Sequence, residues 1–436
     1  MGTRDEIAII YDYSDGWIGG VYYVQNLISA MTLLEDADMP IINVYSLHQK
    51  DVEELKTITG YPYLVFQQAK NKKVFDKVIN RLHYLLLPKI GSYIKAVSKK
   101  NLKGKFIFPI QDFKAARQDV TLSWIPDFQE LYYPQYFSAK ELKFRDKSHR
   151  LFLETKTPMI LSSNAAKNDC LKFYPEYKHN IAVLHFAVKH LDFSDVNFDQ
   201  LLEKFQIKEN YIFCANQFWK HKNHLFLFKA YKKLKDQGFP YQLVCSGQLK
   251  SYSDDGYTQS IKDFLRENHL EDDIKILGFI DRKEQLCLMQ HSYAMVQPSL
   301  FEGWSTVVED AKALNKFIFL SDLDVHIEQD PKNACFFDAT NENDLVDKLM
   351  HVKPTAEPYD YAENRKRFAK DFLEIIKKYP KFDRYHRVWG IAIAYALLIN
   401  WILCALISAI TLFLVVFSYI DDKRNEKNAL SKNPNL

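Results

Sequence analysis

Glu302 and Asp310 are two acids eight residues apart, astride the point where a β-rich run gives way to a helix in YAMVQPSLFEGWSTVVEDAKAL. Ser305 and Thr306 stand where such a helix begins, and both residue types favour that position. Val307, Val308, Ala311 and Leu314 recur at helical spacing as its apolar face. A helix start presents free backbone N–H groups and a partial positive charge, which suits a phosphate. A carboxylate cannot bind phosphate, but it accepts hydrogen bonds from sugar hydroxyls. Asp310 falls about two turns along the same helix, so the two acids could bracket a phosphate-linked sugar. The same spacing also fits a solvated loop charge followed by a surface helix residue, and burial must choose between these readings.

A second cluster is NQFWKHKNH, residues 216–224, just after a strand-like run. Lys220 and Lys222 beside a helix start would give a diphosphate fixed positive charge in place of a metal. A solvated basic turn is the alternative. His221 and His224 lie at i, i+3 with no third ligand nearby in the sequence, so no metal site is expected there.

Alternating elements must position these residues. Ile7 to Tyr13 reads as a strand, followed by a loop containing Gly19-Gly20 and then a helix with Val21, Val24, Leu27, Ile28, Met31 and Leu34 on one face. A second series begins near Tyr211: strands YIFCAN, YQLVCSG, IKILGFI, YAMVQPS and KFIFLSD alternate with helical patterns. Such alternation implies right-handed parallel crossovers and doubly wound sheets, whose ligands bind beyond the carboxyl ends of the strands. The expected organisation is a first Rossmann-like domain over 1–188, a polar linker over 189–210 and a second Rossmann-like domain over 211–376.

Composition excludes other classes. The 436 residues are 47% hydrophobic and 26% charged, as in ordinary globular domains. With 58 basic against 55 acidic residues there is no global field for nucleic acid. Cys170, Cys214, Cys245, Cys287, Cys335 and Cys404 are scattered and read as buried reduced thiols. The N-terminal MGTRDEIAIIYDY does not read as a secretory signal. Residues 388–420 carry no charge over 33 positions, where a membrane span needs about 20, and read as one transmembrane helix. Six Lys and Arg lie between 370 and 387, against four in the polar tail 421–436. That bias places the large N-terminal part on the cytoplasmic side of a single-pass membrane protein.

Taken together, residues 216–329 resemble the retaining glycosyltransferases of family 4, which have the GT-B fold of two Rossmann-like domains facing a cleft. EGWSTVVEDAKAL is similar to the family's E-x7-E motif. The resemblance implies Glu302 on the donor sugar and Asp310, in place of the usual Glu, on the ribose. It puts Lys222 on the donor diphosphate, with Lys220 sharing that role because Gln217 stands where many members have arginine. Gly247 follows a strand end, and Phe279 and Ile280 match the loop that reads the base. Ser305, Thr306 and Val307 open the phosphate-binding helix, while Gly19 and Gly20 resemble the glycine-rich loop of the first domain. WIPDFQELYYPQYFS resembles an acceptor-side segment, carrying Asp127, Gln129 and Glu130, the last at a position usually histidine. Asn315 replaces a glycine after the motif helix, where asparagine can adopt the left-handed conformation, and Phe317 replaces a proline. Asp322-Leu323-Asp324 imitates the metal-binding DxD of GT-A enzymes, but its place after the motif helix favours a structural role.

The implied protein is a membrane-anchored GT-B glycosyltransferase. It would move a sugar from a nucleotide-sugar donor to a glycan or lipid-linked acceptor with retention, without a metal cofactor. A noncatalytic nucleotide-sugar or glycan binding module derived from such an enzyme is the alternative.

Overall fold

The computed structural model describes residues 4–11, 18–68, 107–110, 121–153, 159–176, 181–249 and 256–378. The apolar run 388–420 and the tail 421–436 lie outside the described residues. Among those described, no helix is long and apolar enough to cross a membrane.

Two all-parallel sheets carry the chain. The first has the order β3-β2-β1-β4-β5-β6-β7, with β1 Glu6–Ile10, β2 Ile41–Ser46, β3 Leu64–Gln68, β4 Ile107–Ile110, β5 Thr121–Ile125, β6 Met159–Leu161 and β7 Ile181–Val183. The second has the order β10-β9-β8-β11-β12-β13, with β8 Tyr211–Ala215, β9 Gln242–Ser246, β10 Ile274–Ile276, β11 Met295–Gln297, β12 Ile318–Ser321 and β13 Ala334–Phe337. Both orders reverse direction beside their first strand, as doubly wound sheets do. The central strands are unbroken apolar runs because helices cover both faces. Every residue of β8 and β9 is buried.

Packing departs from the sequence reading at three places. Gly19 and Gly20 lie in the first turn of the helix Ile18–Met31, not in a loop, and a Cβ at Gly19 would meet nothing within 4 Å. The segment 189–210 is not structureless. It holds the helix Phe198–Phe205, capped by Asn197, whose side chain accepts from Gln200 N. The helix Ala362–Lys378, which the expected boundary at 376 places in the second domain, packs into the core of the first. Phe368 and Phe372 lie against Tyr23 and Phe108, with ring centroids 5.6 and 5.1 Å apart. Nothing in that helix's own periodicity says which apolar surface will receive it.

The described cysteines behave as expected: Cys170, Cys214, Cys245 and Cys287 are buried thiols and Cys335 is half-buried. Asn315 has φ of 51°, the left-handed turn expected after the motif helix.

Phe372 is 1% exposed in the first domain's core. Phe372→Ala should therefore cost about 3–5 kcal/mol and lower the melting temperature of the first domain, read by thermal unfolding. Loss of under about 1 kcal/mol would detach this helix from that core.

Candidate active site

The two sheets belong to one compact unit, and residues just beyond their carboxyl ends meet. Gly303 marks a close approach. A Cβ there would stand 2.1 Å from the Pro126 carbonyl oxygen and 2.7 Å from Asp127 Cβ, so only glycine lets the turn after β11 touch the segment after β5.

Immediately before it, Glu302 is almost buried, at 9% side-chain exposure, and Lys222 lies 2.5 Å away from Nζ to Oε1. Gln297, the last residue of β11, donates to the same oxygen at 2.9 Å. Asn216, just past β8, donates to Gln297 at 2.6 Å and holds it in turn. β8 and β11 are neighbours in the sheet, so their ends bring the lysine turn to the acid. Burial alone would raise the Glu302 carboxyl. The Lys222 charge and hydrogen bond, with His326 and His221 nearby, together outweigh it and hold the group below the usual carboxylate value. Glu302 is therefore a desolvated, ionised acid, and the solvated-loop reading is excluded.

Lys220 diverges from Lys222. It is exposed, and its ammonium stands 5.7 Å from the Tyr136 ring centroid, towards the first domain.

Asp310 is 1% exposed, which excludes the surface reading too. Its Oδ1 accepts from Arg282 at 2.5 Å and from His190 Nε2 at 2.9 Å. Burial pushes its carboxyl up, and Arg282 and His190 more than reverse that. The preceding Glu309, which sequence reasoning passed over, is also buried, and it is bonded to Lys312, Gln329 and the Tyr361 hydroxyl. At the helix start, Gln329 takes the Ser305 N–H and donates to the Ser305 carbonyl, both at 3.0 Å. Thr306 is exposed and Val307 half-buried.

The other donor-side residues line the ends of β8, β9 and β10. Gly247, at φ 135°, has no room for a Cβ, which would lie 2.0 Å from Asn216 O; its N–H bonds Gly278 O at 2.8 Å. Gln217 accepts from the backbone N of Gln248 at 2.9 Å. Phe279 is 61% exposed, and Ile280 packs on the second domain's core. A large exposed aromatic beside a tight backbone turn offers a stacking face.

On the first domain, Asp127 caps the turn at Gln129 N at 3.0 Å, and burial raises its carboxyl above the usual value. Gln129 reaches the second domain, donating from Nε2 to His221 Nδ1 at 2.5 Å. Burial, then the Lys222 charge, bring His221 down to about 3, so it is neutral and its Nδ1 can accept. Glu130 does not face an acceptor. It is 2% exposed in the first domain, 3.4 Å from both Arg145 and His149. It is the one buried residue of the short helix Gln129–Tyr132.

Among the described residues, Glu130 Oε1 and His149 Nδ1 have no hydrogen-bond partner, yet they are 3.4 Å apart. Burial lifts the Glu130 carboxyl to about 7 and drops His149 to about 4. At mildly acid pH both are neutral. Arg282, His190, Gln297 and Gln329 carry no motif that sequence could have flagged. Among the described residues, no group of three or more His, Cys, Asp or Glu could hold a metal ion.

The comparisons bear on the second domain first. Residues 197–370 match the family model of the glycosyl transferases group 1. The match spans most of the second domain. The O-antigen chain mannosyltransferase RfbU of Salmonella typhimurium is 24% identical over 229 residues, covering 52% of this chain and 60% of its own length. EpsF of Bacillus subtilis is 33% identical over 106 residues, 24% of this chain and 26% of its own. The chain thus spans under two thirds of the length of these relatives. Anabaena HepE, solved in complex with UDP and glucose, superimposes with a TM-score of 0.53 at 14% identity, over 89% of this chain and 99% of its own. The fold is GT-B-like.

A folded pKa raised above the unfolded value means that Glu130 stabilises the protein less as pH rises from about 4.5 to about 7. Above that the cost of its buried charge stays in full. Glu130→Gln, which keeps a donor towards His149 and cannot ionise, should raise the melting temperature at pH 8 and change it little at or below about pH 4.5. A melting temperature lowered at both pH values would show that the carboxylate itself is needed.

Proposed function

We propose that this chain is a glycosyltransferase that moves a sugar from a nucleoside-diphosphate donor to a glycan or lipid-linked acceptor, with retention at the anomeric carbon. The observation that carries the reading is the desolvated Glu302 carboxylate, 2.5 Å from Lys222, one residue before the interdomain approach at Gly303. It is supported by the group 1 domain and by the UDP and glucose named with the HepE structure.

In this reading Glu302 accepts from donor-sugar hydroxyls. Lys222 turns from Glu302 to the diphosphate, whose charge grows as the glycosidic bond breaks. Lys220 and the helix opening at Thr306 add positive potential, so the residues themselves can balance the leaving group. Phe279 stacks on the base. Asp310, already held by Arg282 and His190, presents what remains of its acceptor capacity to the ribose. The first domain brings Asp127 and Gln129 to the acceptor side and excludes water. The RfbU and EpsF likenesses favour a surface glycan or glycolipid as product.

The uncharged run 388–420 supports a single membrane span, with the two sheets on the cytoplasmic side, where nucleotide sugars are made. Protease added to sealed vesicles from the cytoplasmic face should then leave the tail 421–436 intact. Its cleavage would reject this topology.

Glu302→Gln should lower kcat/KM at least about tenfold, because a charge-assisted hydrogen bond contributes about 1.5–3 kcal/mol. Unchanged transfer by the folded variant would remove Glu302 from the site. A noncatalytic binding module would show nucleotide-sugar binding without turnover. Thermal stabilisation by UDP, GDP and their sugars should pick out one base, since a ligand that binds only the native state stabilises it.

A further inference from the structure

Glu328 ties the two domains together more extensively than any residue of the motif. It ends the short helix Asp324–Glu328 of the second domain, and its donors lie in the first. Oε1 accepts from the backbone N of Asn164 at 2.6 Å, from Asn164 Nδ2 at 2.9 Å and from His185 Nε2 at 2.6 Å. Oε2 accepts from the backbone N of Ala165 at 2.9 Å. Asn164 and Ala165 open the helix Asn164–Phe173, and Ser163 Oγ takes the third N–H, from Ala166, at 2.9 Å. The helix start is thus capped from two domains, and a carboxylate is the group its free N–H groups and dipole favour.

The contact continues to the site. The His185 ring stacks on Trp304 with centroids 4.4 Å apart and planes 9° from parallel. Trp304 Nε1 donates to Phe186 O at 3.0 Å. Trp304 directly follows Gly303, two residues after Glu302.

We propose that Glu328 is a positioning residue. Through His185 it holds Trp304, and with it the Glu302–Gly303 turn, in the closed arrangement, and withdrawal of its carboxylate from Asn164 and Ala165 releases the two domains. The kinetic part rests on the glycosyl-transfer reading above; the latch itself does not. Burial would raise the Glu328 carboxyl, but the bonds from His185, Asn164 and Ala165 prevail and keep it ionised.

The test uses the full chain carrying Glu328→Gln, Glu328→Asp or Glu328→Ala. Glutamine has one acceptor oxygen and cannot serve all four donors. Hydrogen exchange in residues 163–166 should speed up about tenfold or more, while that of β8 stays unchanged. The emission of Trp304, isolated by difference against Trp304→Phe, should shift as its imidazole partner is freed. With donor saturating, kcat should fall about tenfold while the donor KM moves less than about threefold. The aspartate variant should lie between, and formate should restore slow exchange and turnover to the alanine variant by refilling the helix start. Unchanged exchange and Trp304 emission in all three variants would overturn the latch whether or not transfer is detected. Altered exchange with unchanged kcat and KM would overturn the positioning role.

Discussion

A side chain as small as a methyl group at position 303 would collide with the Pro126 carbonyl, and the placement of everything around the site depends on that approach. With glycine there, the turn leaving β11 lies on the turn leaving β5. Glu302 stands on one side of the contact, beside Lys222, and Trp304 on the other, against His185 and Phe186. The Gln129 bond to His221 spans the same junction. A sheet positions its own loops to within a fraction of an ångström, but two sheets need a shared point of reference. A backbone-to-backbone contact supplies one, because neither partner has rotamers to relax into.

The second organising fact is how the buried acids are kept charged. Removing a carboxylate from water costs several kcal/mol unless partners repay it. Glu302 is repaid by Lys222 and Gln297, Asp310 by Arg282 and His190, and Glu328 by two amides, an asparagine side chain and a histidine. Glu130 lacks comparable partners at short range and answers in the other way, holding its proton to about 7. Acids of one chemical type therefore divide into two working states. Glu302, Asp310 and Glu328 keep their charge through short-range partners, and Glu130, within the first domain, keeps its proton instead.

Parallel, doubly wound sheets were legible from the alternation of apolar runs with helical patterns, because a strand covered on both faces has no polar side to disguise it; the strand order was not. The close approach at Gly303 was not legible either, but Glu302 and Lys222 could be singled out as candidates. Their chemistry is local: an acid and glycine leaving a strand before a helix start, and a lysine in the turn after another strand. Asn315 could be placed in the left-handed region for the same reason, since one residue's backbone preference suffices. Partnership was not legible. His185 and Glu328 are 143 residues apart, and Gln129 and His221 are 92 apart. Neither pair leaves a periodic trace, because only the folded distance between two sheets makes them neighbours. The inward turn of Glu130 and the return of Ala362–Lys378 to the first core are of the same kind. The residues carry the capacity to be buried or paired, but which surface meets them follows from packing two domains at once.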